Sequence, residues 1–182
     1  MRLRFQSGTI SRLMETRNKI VDAAQLAEVV AKRQVAGDTV VLTNGVFDLL
    51  HVGHARYLAE ARALGDALIV AVNSDRSVRS FKGDLRPIVP EDERAELIAS
   101  LACVDYVTIF DTRTPVPLIE AVHPAVYVKG GDYAIDDLPE TPVVRGYGGR
   151  VQILSLVAGQ SSTNLIAKIC RAYPNSAEAV EK

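Results

Sequence analysis

Tryptophan is absent from this chain, and its aromatic side chains number only six Tyr and four Phe. A protein that holds single-stranded nucleic acid by stacking successive bases needs more rings than that. Cysteine is equally scarce. Cys103 and Cys170 stand far apart, too few for a disulfide framework and without the partner spacing of a zinc site, which fits a reducing compartment. Charge of one sign is also lacking: the net charge is -1 and the basic residues are scattered, so no polyanion-binding surface is indicated. No apolar run approaches the roughly 18–20 residues of a membrane span. Arg2, Arg4 and Arg12 are not accompanied by the apolar core of a signal peptide. These absences point to a cytoplasmic protein with neither nucleic acid nor membrane as its partner.

What is present centres on one stretch, Val40 to His54. Val40, Val41 and Leu42 follow Gly37-Asp38 as an apolar, β-branched run that reads as a buried strand. Thr43, Asn44 and Gly45 break the run, and from about Val52 the pattern is helical through Ala55, Leu58, Ala59 and Arg62. A strand, a short polar loop and a helix start bring backbone N–H groups and the helix dipole to a phosphate. Two of the three histidines, His51 and His54, sit at this helix start, where the spacing puts both rings on one side of the first turn. Gly53 between them admits close backbone approach. A zinc helix would need histidines four apart. A surface that merely carries two histidines is the plain alternative, and phosphate chemistry the sharper one.

The remaining chain repeats the theme. A helix is expected over Asn18 to Arg33, packed on the domain rather than serving a partner, and others over Gly53 to Leu64, Pro90 to Ser100 and Thr114 to Val122. Strands are expected at Ala67 to Val72, Val104 to Phe110, Ala125 to Val128 and Val151 to Leu154. Strand carboxyl ends meet polar groups at Asn73 and Asp75 and again at Lys129, Gly131 and Asp132, the end at which doubly wound sheets hold ligands. The segment Phe81 to Pro87 is too polar for a regular element and reads as a loop offering Lys82 and Arg86. Ser161, Ser162 and Thr163 precede an apolar helix as cap residues. Glu93, Arg94 and Glu96 read as structural. The sum is a single Rossmann-like α/β domain, doubly wound on a mostly parallel five-stranded sheet. It would span 18–173, between a partly disordered extension at 1–17 and a frayed tail at 174–182.

These residues carry a resemblance. His51-Val52-Gly53-His54 resembles the HxGH signature of the nucleotidyltransferase superfamily, which includes cytidylyltransferases and sugar-phosphate adenylyltransferases. The wider run TNGVFDLLHVGHARYL, the loop KGDLRP from Lys82 and the run VKGGDY from Val128 are similar to the adenylyltransferases of bacterial ADP-heptose synthesis. SSTNLI from Ser161 fits the superfamily's phosphate-binding segment. The resemblance covers about Ile20 to Arg171. It implies transfer of the adenylyl group of ATP to D-glycero-D-manno-heptose 1-phosphate, for lipopolysaccharide core or a related heptose glycan. It further implies Mg²⁺ with the ATP, a homodimer, and a separate heptose kinase and phosphatase. The bifunctional relatives carry a sugar kinase domain ahead of this one and these 182 residues hold none, so a stand-alone transferase is expected.

Such a reaction joins two polyanions through a nucleophile that is already ionised, so positioning and fixed positive potential matter more than a general base. On that basis His51 and His54 are assigned to the triphosphate and the α-phosphate transition state, and Lys82 and Arg86 to charge on the triphosphate and sugar phosphate. Thr43, Asn44, Gly45, Phe47 and Gly53 would form the phosphate loop, with Ser161, Ser162 and Thr163 donating from the last helix. Lys129, Gly131 and Asp132 would contact nucleotide or sugar, with Asn73 and Asp75 nearby; no residue is assigned to metal. Two alternatives stand beside this. A glycerol-3-phosphate-type cytidylyltransferase would carry an Arg-Thr lead into the serine segment, where this chain has Leu156 to Gln160. A catalytically inactive nucleotide-binding protein would be expected to have lost a histidine or a cation, and here all are present.

Overall fold

The computed structural model describes residues 16–155 and 159–174. The extension expected at 1–17 therefore lies outside the described residues except for Thr16 and Arg17, and the expected tail except for Pro174. The chain folds as α1 (Ala23–Val35), β1 (Val40–Gly45), α2 (Val52–Arg62), β2 (Ala67–Asn73), α3 (Asp75–Lys82) and α4 (Glu91–Ala99). It continues as β3 (Tyr106–Phe110), α5 (Val116–Val122), β4 (Val126–Gly130), a 3-10 turn (Ile135–Asp137), α6 (Thr141–Gly146), β5 (Arg150–Leu154) and α7 (Ser162–Ala172).

The five strands form one sheet in the order β3-β2-β1-β4-β5, and every pairing is parallel. Alternation along β1 and β2 divides the core in two. Val41, Leu68, Val70 and Val72 face α2 and α4 through Leu58, Ala61, Ala95 and Ile98. Val40, Leu42, Ile69 and Ala71 face α1 and α5 through Leu26, Val30, Leu118 and Ile119. Strands covered on both faces read as continuous apolar runs, which is why β1 and β2 were legible. The doubly wound parallel sheet is as expected.

Several boundaries differ, each for a physical reason. β1 does not stop at Leu42: Thr43, Asn44 and Gly45 stay in register with Val70, Ala71 and Val72 of β2. The first helix begins at Ala23, not Asn18, because Asp22 caps it, accepting from Gln25 N–H at 2.8 Å while its own N–H donates to the Gln25 side chain. The residues ahead of it run beside β3, with Val107 N–H donating to Lys19 O and Val21 N–H to Val107 O, and so cover part of that sheet edge. Two helices escaped the sequence reading. α3 holds only Val78 and Phe81 as large apolar residues and depends on a Ser74 cap. α6 is a short turn anchored by Val144, which is fully buried.

Candidate active site

The strand order reverses beside β1, with β2 on one side and β4 on the other, and a cleft of about 720 Å³ opens there at the strands' carboxyl ends. Asn44, Gly45 and Phe47 line it from β1 and the loop that follows; His51, Gly53 and His54 line it from the start of α2. Asn73, Lys82 and Arg86 come from the β2 side, Lys129 from β4, and Ser161, Ser162 and Thr163 from the start of α7. Two helix N-termini thus point into one cleft. Backbone N–H groups there have no intrahelical acceptor and favour an anion.

The histidine rings stack face to face with centroids 3.8 Å apart and 21° between planes. His51 caps α2, and its backbone N–H donates to His54 Nδ1 at a long 3.4 Å. With Nδ1 accepting, the His54 proton sits on Nε2, as this hydrogen bond assigns it. Burial, with the neighbouring His51 second, lowers His54 to about 4, and burial also lowers His51. Both rings are therefore neutral hydrogen-bond donors near pH 7 rather than fixed cations. Gly53 makes the stack feasible: a Cβ there would stand 2.9 Å from the His51 ring.

The loop between β1 and α2 is held from within. Phe47 and Leu49 adopt positive φ of 53° and 50°, which turns the Asp48 side chain inward until 1 % of it is exposed. Asp48 accepts from Ile88 N–H and Val89 N–H at 3.0 Å each and from Arg86 Nε at 2.8 Å. Burial alone would raise this carboxyl, but those two N–H groups and the guanidinium outweigh it and hold it below its ordinary value. Ser162 Oγ donates to Asp48 O, which ties α7 to the same loop. Beneath lies Arg94, fully buried, donating to Val46 O, Val89 O, Asn73 O and Asp75 Oδ1 at 2.5–2.9 Å. Asp48 and Arg94 together join four segments behind the cleft wall.

Along β4 the groups form a chain. Tyr127 OH donates to Asn44 Oδ1 at 2.6 Å, and Lys129 Nζ donates to the same oxygen at 3.2 Å and to Tyr127 OH at 3.3 Å. Glu140 Oε1 stands 3.6 Å from Lys129 Nζ. Burial, reinforced by the Glu140 charge, raises the Tyr127 hydroxyl.

Four residues named from sequence do not line the cleft. Thr43 is fully buried and paired with Tyr57 OH at 2.6 Å, because β1 continues and its side chain faces the core. Asp75 is turned to Arg94 at 2.7 Å. Gly131 supports a neighbour instead: at φ 134° and without a Cβ, it leaves room for the Tyr133 ring, which does line the cleft. Asp132 is exposed outside the wall. The Ser162 hydroxyl is committed to Asp48, while Ser161 Oγ accepts from Asn164 N–H and keeps its own proton to donate. Sequence reading missed Asp48, Arg113, Tyr133 and Glu140. The position of Asp48 inside the polar loop after β1 was a signal for it; Glu140 had none, since it arrives through an unrecognised turn and helix. Among the described residues no group of three or more His, Cys, Asp or Glu is placed to hold a metal ion, and both Asp48 oxygens are engaged.

A family model described as cytidylyltransferase-like matches residues 42–166. The chain is 50% identical over 155 residues to the bifunctional protein HldE of Geobacter sulfurreducens, covering 85% of this chain and 32% of that protein. It is 53% identical over 150 residues to the bifunctional protein HldE of Koribacter versatilis, covering 82% and 31%. The chain thus spans about a third of the length of these curated relatives. A crystal structure of the lipopolysaccharide core biosynthesis protein from Thermoplasma volcanium matches at 31% identity with TM-score 0.55, covering 66% of this chain and 98% of that one.

Proposed function

The chain belongs to the cytidylyltransferase-like family of HxGH nucleotidyltransferases, and on that premise we propose that it transfers the adenylyl group of ATP to D-glycero-D-manno-heptose 1-phosphate. An oxygen of the sugar phosphate attacks the α-phosphorus, the bond from that phosphorus to the β-phosphate bridging oxygen breaks, and ADP-heptose and pyrophosphate result. The observation that carries the proposal is the convergence of the stacked histidines, two helix N-termini and the cations Lys82 and Arg86 on one cleft. The loop wording KGDLRP and VKGGDY supports a heptose acceptor, and the likeness to the Thermoplasma lipopolysaccharide core biosynthesis protein supports a place in that synthesis.

Negative charge builds on the α-phosphate oxygens and the leaving group. His54 Nε2–H is a preorganised donor for the former, and His51 with the α7 N-terminus serves the departing phosphates. Neutral rings suit this task, since the attacking phosphate needs no base. Arg86, held by Asp48, is a positioned cation; Lys82 is exposed at the C-terminal end of α3 and closes on the triphosphate. Mg²⁺ enters with ATP as part of the substrate, its ligands being phosphate oxygens and water. A homodimer is proposed as the working form, which sedimentation equilibrium checks. A separate kinase and phosphatase would supply the heptose 1-phosphate.

Pyrophosphate release with Mg²⁺, crossing ATP, CTP and GTP against both heptose 1-phosphate anomers and glycerol 3-phosphate, tests the proposal. Turnover with ATP and one heptose anomer is expected. Turnover only with CTP and glycerol 3-phosphate would keep the family and overturn the substrates. A folded protein silent in every combination would overturn the activity.

A further inference from the structure

The cleft is uneven in charge. On the β2 and β3 side it presents Lys82, Arg86 and Arg113, and at the helix starts it presents neutral donors, all suited to phosphates. Beside β4 an acidic side chain faces the same space. Glu140 is 2 % exposed as a residue, lines the cleft, and carries a buried oxygen, Oε2, with no hydrogen-bond partner. The other acids on the wall differ: Asp48 is fully engaged and Asp137 is exposed. Lys129 does not supply the missing donor, since its ammonium donates to Asn44 Oδ1 and Tyr127 OH and stands 3.6 Å from Glu140 Oε1; nor does the neighbouring Tyr127, whose one hydroxyl proton goes to Asn44 Oδ1. A buried acceptor left bare costs free energy unless something brings it a proton donor. A phosphate cannot, since it is itself an anionic acceptor; a hydroxyl can.

We infer that Glu140 is a substrate-binding residue whose Oε2 accepts a hydrogen bond from a hydroxyl on the sugar portion of a bound substrate, with Lys129 as its positioning residue. Lys129 attracts Oε1 from 3.6 Å, which leaves Oε2 as the acceptor without a partner. Tyr133, seated by the missing side chain of Gly131, adds a half-exposed ring on the same side of the cleft, a flat apolar surface for a sugar face. Charge separates the two ends of the substrates: phosphates toward the cationic side and helix starts, polyol toward the Glu140 corner. Two sugars qualify, the ribose of the nucleotide and the acceptor sugar, and both offer the same chemistry. The inference rests on the proposed nucleotidyl transfer for its ligands.

The test measures the dissociation constants of Mg-ATP and of heptose 1-phosphate separately by titration calorimetry, for the wild-type chain and Glu140→Gln. Glutamine keeps the shape, but with its oxygen toward Lys129 it places an NH₂ donor where Oε2 was. One substrate should bind about 10- to 100-fold more weakly, the scale of a lost hydrogen bond to a charged group, and the other within about twofold of wild type. Weakened ATP binding names the ribose. In that case 2′-deoxy- or 3′-deoxy-ATP should lose affinity for the wild type and none for the variant. Weakened heptose 1-phosphate binding names the acceptor sugar. Glu140→Asp, which keeps the charge beside Lys129 and withdraws the oxygen, should show the same contrast and serves if the Gln variant does not fold. Unchanged binding of both substrates, or equal weakening of both, overturns the inference. A wild type that binds both substrates without turnover counts against the transfer reaction, and one that binds neither overturns both readings.

Discussion

His54 owes its charge state to its surroundings rather than to its own chemistry. Replacing it with Ala should lower kcat by roughly 10²–10³, the scale for losing one transition-state donor, with KM for ATP changed far less. Steady-state pyrophosphate release checks this, and near-normal turnover of a folded variant would remove the assigned role. Burial lowers His54 to about 4 from 6.5, so between those values the unfolded chain binds the extra proton and the folded one does not. The stability contributed by neutral His54 is complete above pH 6.5 and is lost as pH falls toward 4. The melting temperature of the wild type should therefore drop across that window, and a His54→Asn variant should show a shallower slope. Asp48, held below 3.8, acts later: its contribution is present above 3.8 and fades at still lower pH. Gly53 was legible as a close-approach residue, but that its partner is the His51 ring could only be seen once the imidazoles were stacked.

The loop from Val46 to Leu50 shows how one element borrows its shape from others. Its two positive-φ residues are not glycines, so the local sequence does not favour the conformation. Asp48 stabilises it through Ile88 and Val89 N–H and through Arg86, and Arg94 does so from below through Val46 O. Asp48→Ala would leave Arg86 and two N–H groups without their acceptor. Chemical denaturation should show a loss of roughly 3–5 kcal/mol, the range for breaking a buried pair. A loss below about 1 kcal/mol would mean that the loop is held by its packing instead. At this scale the sequence was read best where periodicity was strong, as in β1, β2 and α2. α3 was missed because its Arg- and Ser-rich face hides the one buried apolar residue, Val78, that packs it down.

For the whole molecule, a ligand that binds the folded chain alone must raise its melting temperature. At about 100 times its dissociation constant, Mg-ATP should add about 2.7 kcal/mol, or roughly 5–10 °C for a domain of this size. Differential scanning fluorimetry with ATP, CTP and GTP reads this shift, and it should be greatest for ATP. A shift equal for all three would argue that the phosphates alone are recognised. The same experiment on His54→Ala should keep most of the shift, because that residue is assigned to the transition state more than to ground-state binding.

Periodicity and local chemistry were enough to determine the doubly wound sheet, the strand–loop–helix at its centre and the residues that gather around it. Runs covered on both faces must be apolar throughout, and a helix start beside glycine and histidine says what kind of group it can meet. Asn44, His51, His54, Lys129 and Ser161, although distant in sequence, were all legible because each stands at the carboxyl end of a strand or the start of a helix, whereas Lys82 was legible from its polar, glycine- and proline-marked segment. What only the tertiary structure decided is where each side chain turns. Thr43 went to the core and Asp75 to Arg94 because β1 ran longer and that arginine, read from sequence only as structural, is buried and needed a partner. Glu140 came to the cleft through a short helix with too few apolar residues to announce itself. Whether a polar group is satisfied depends on partners dozens of residues away, and no local pattern records them.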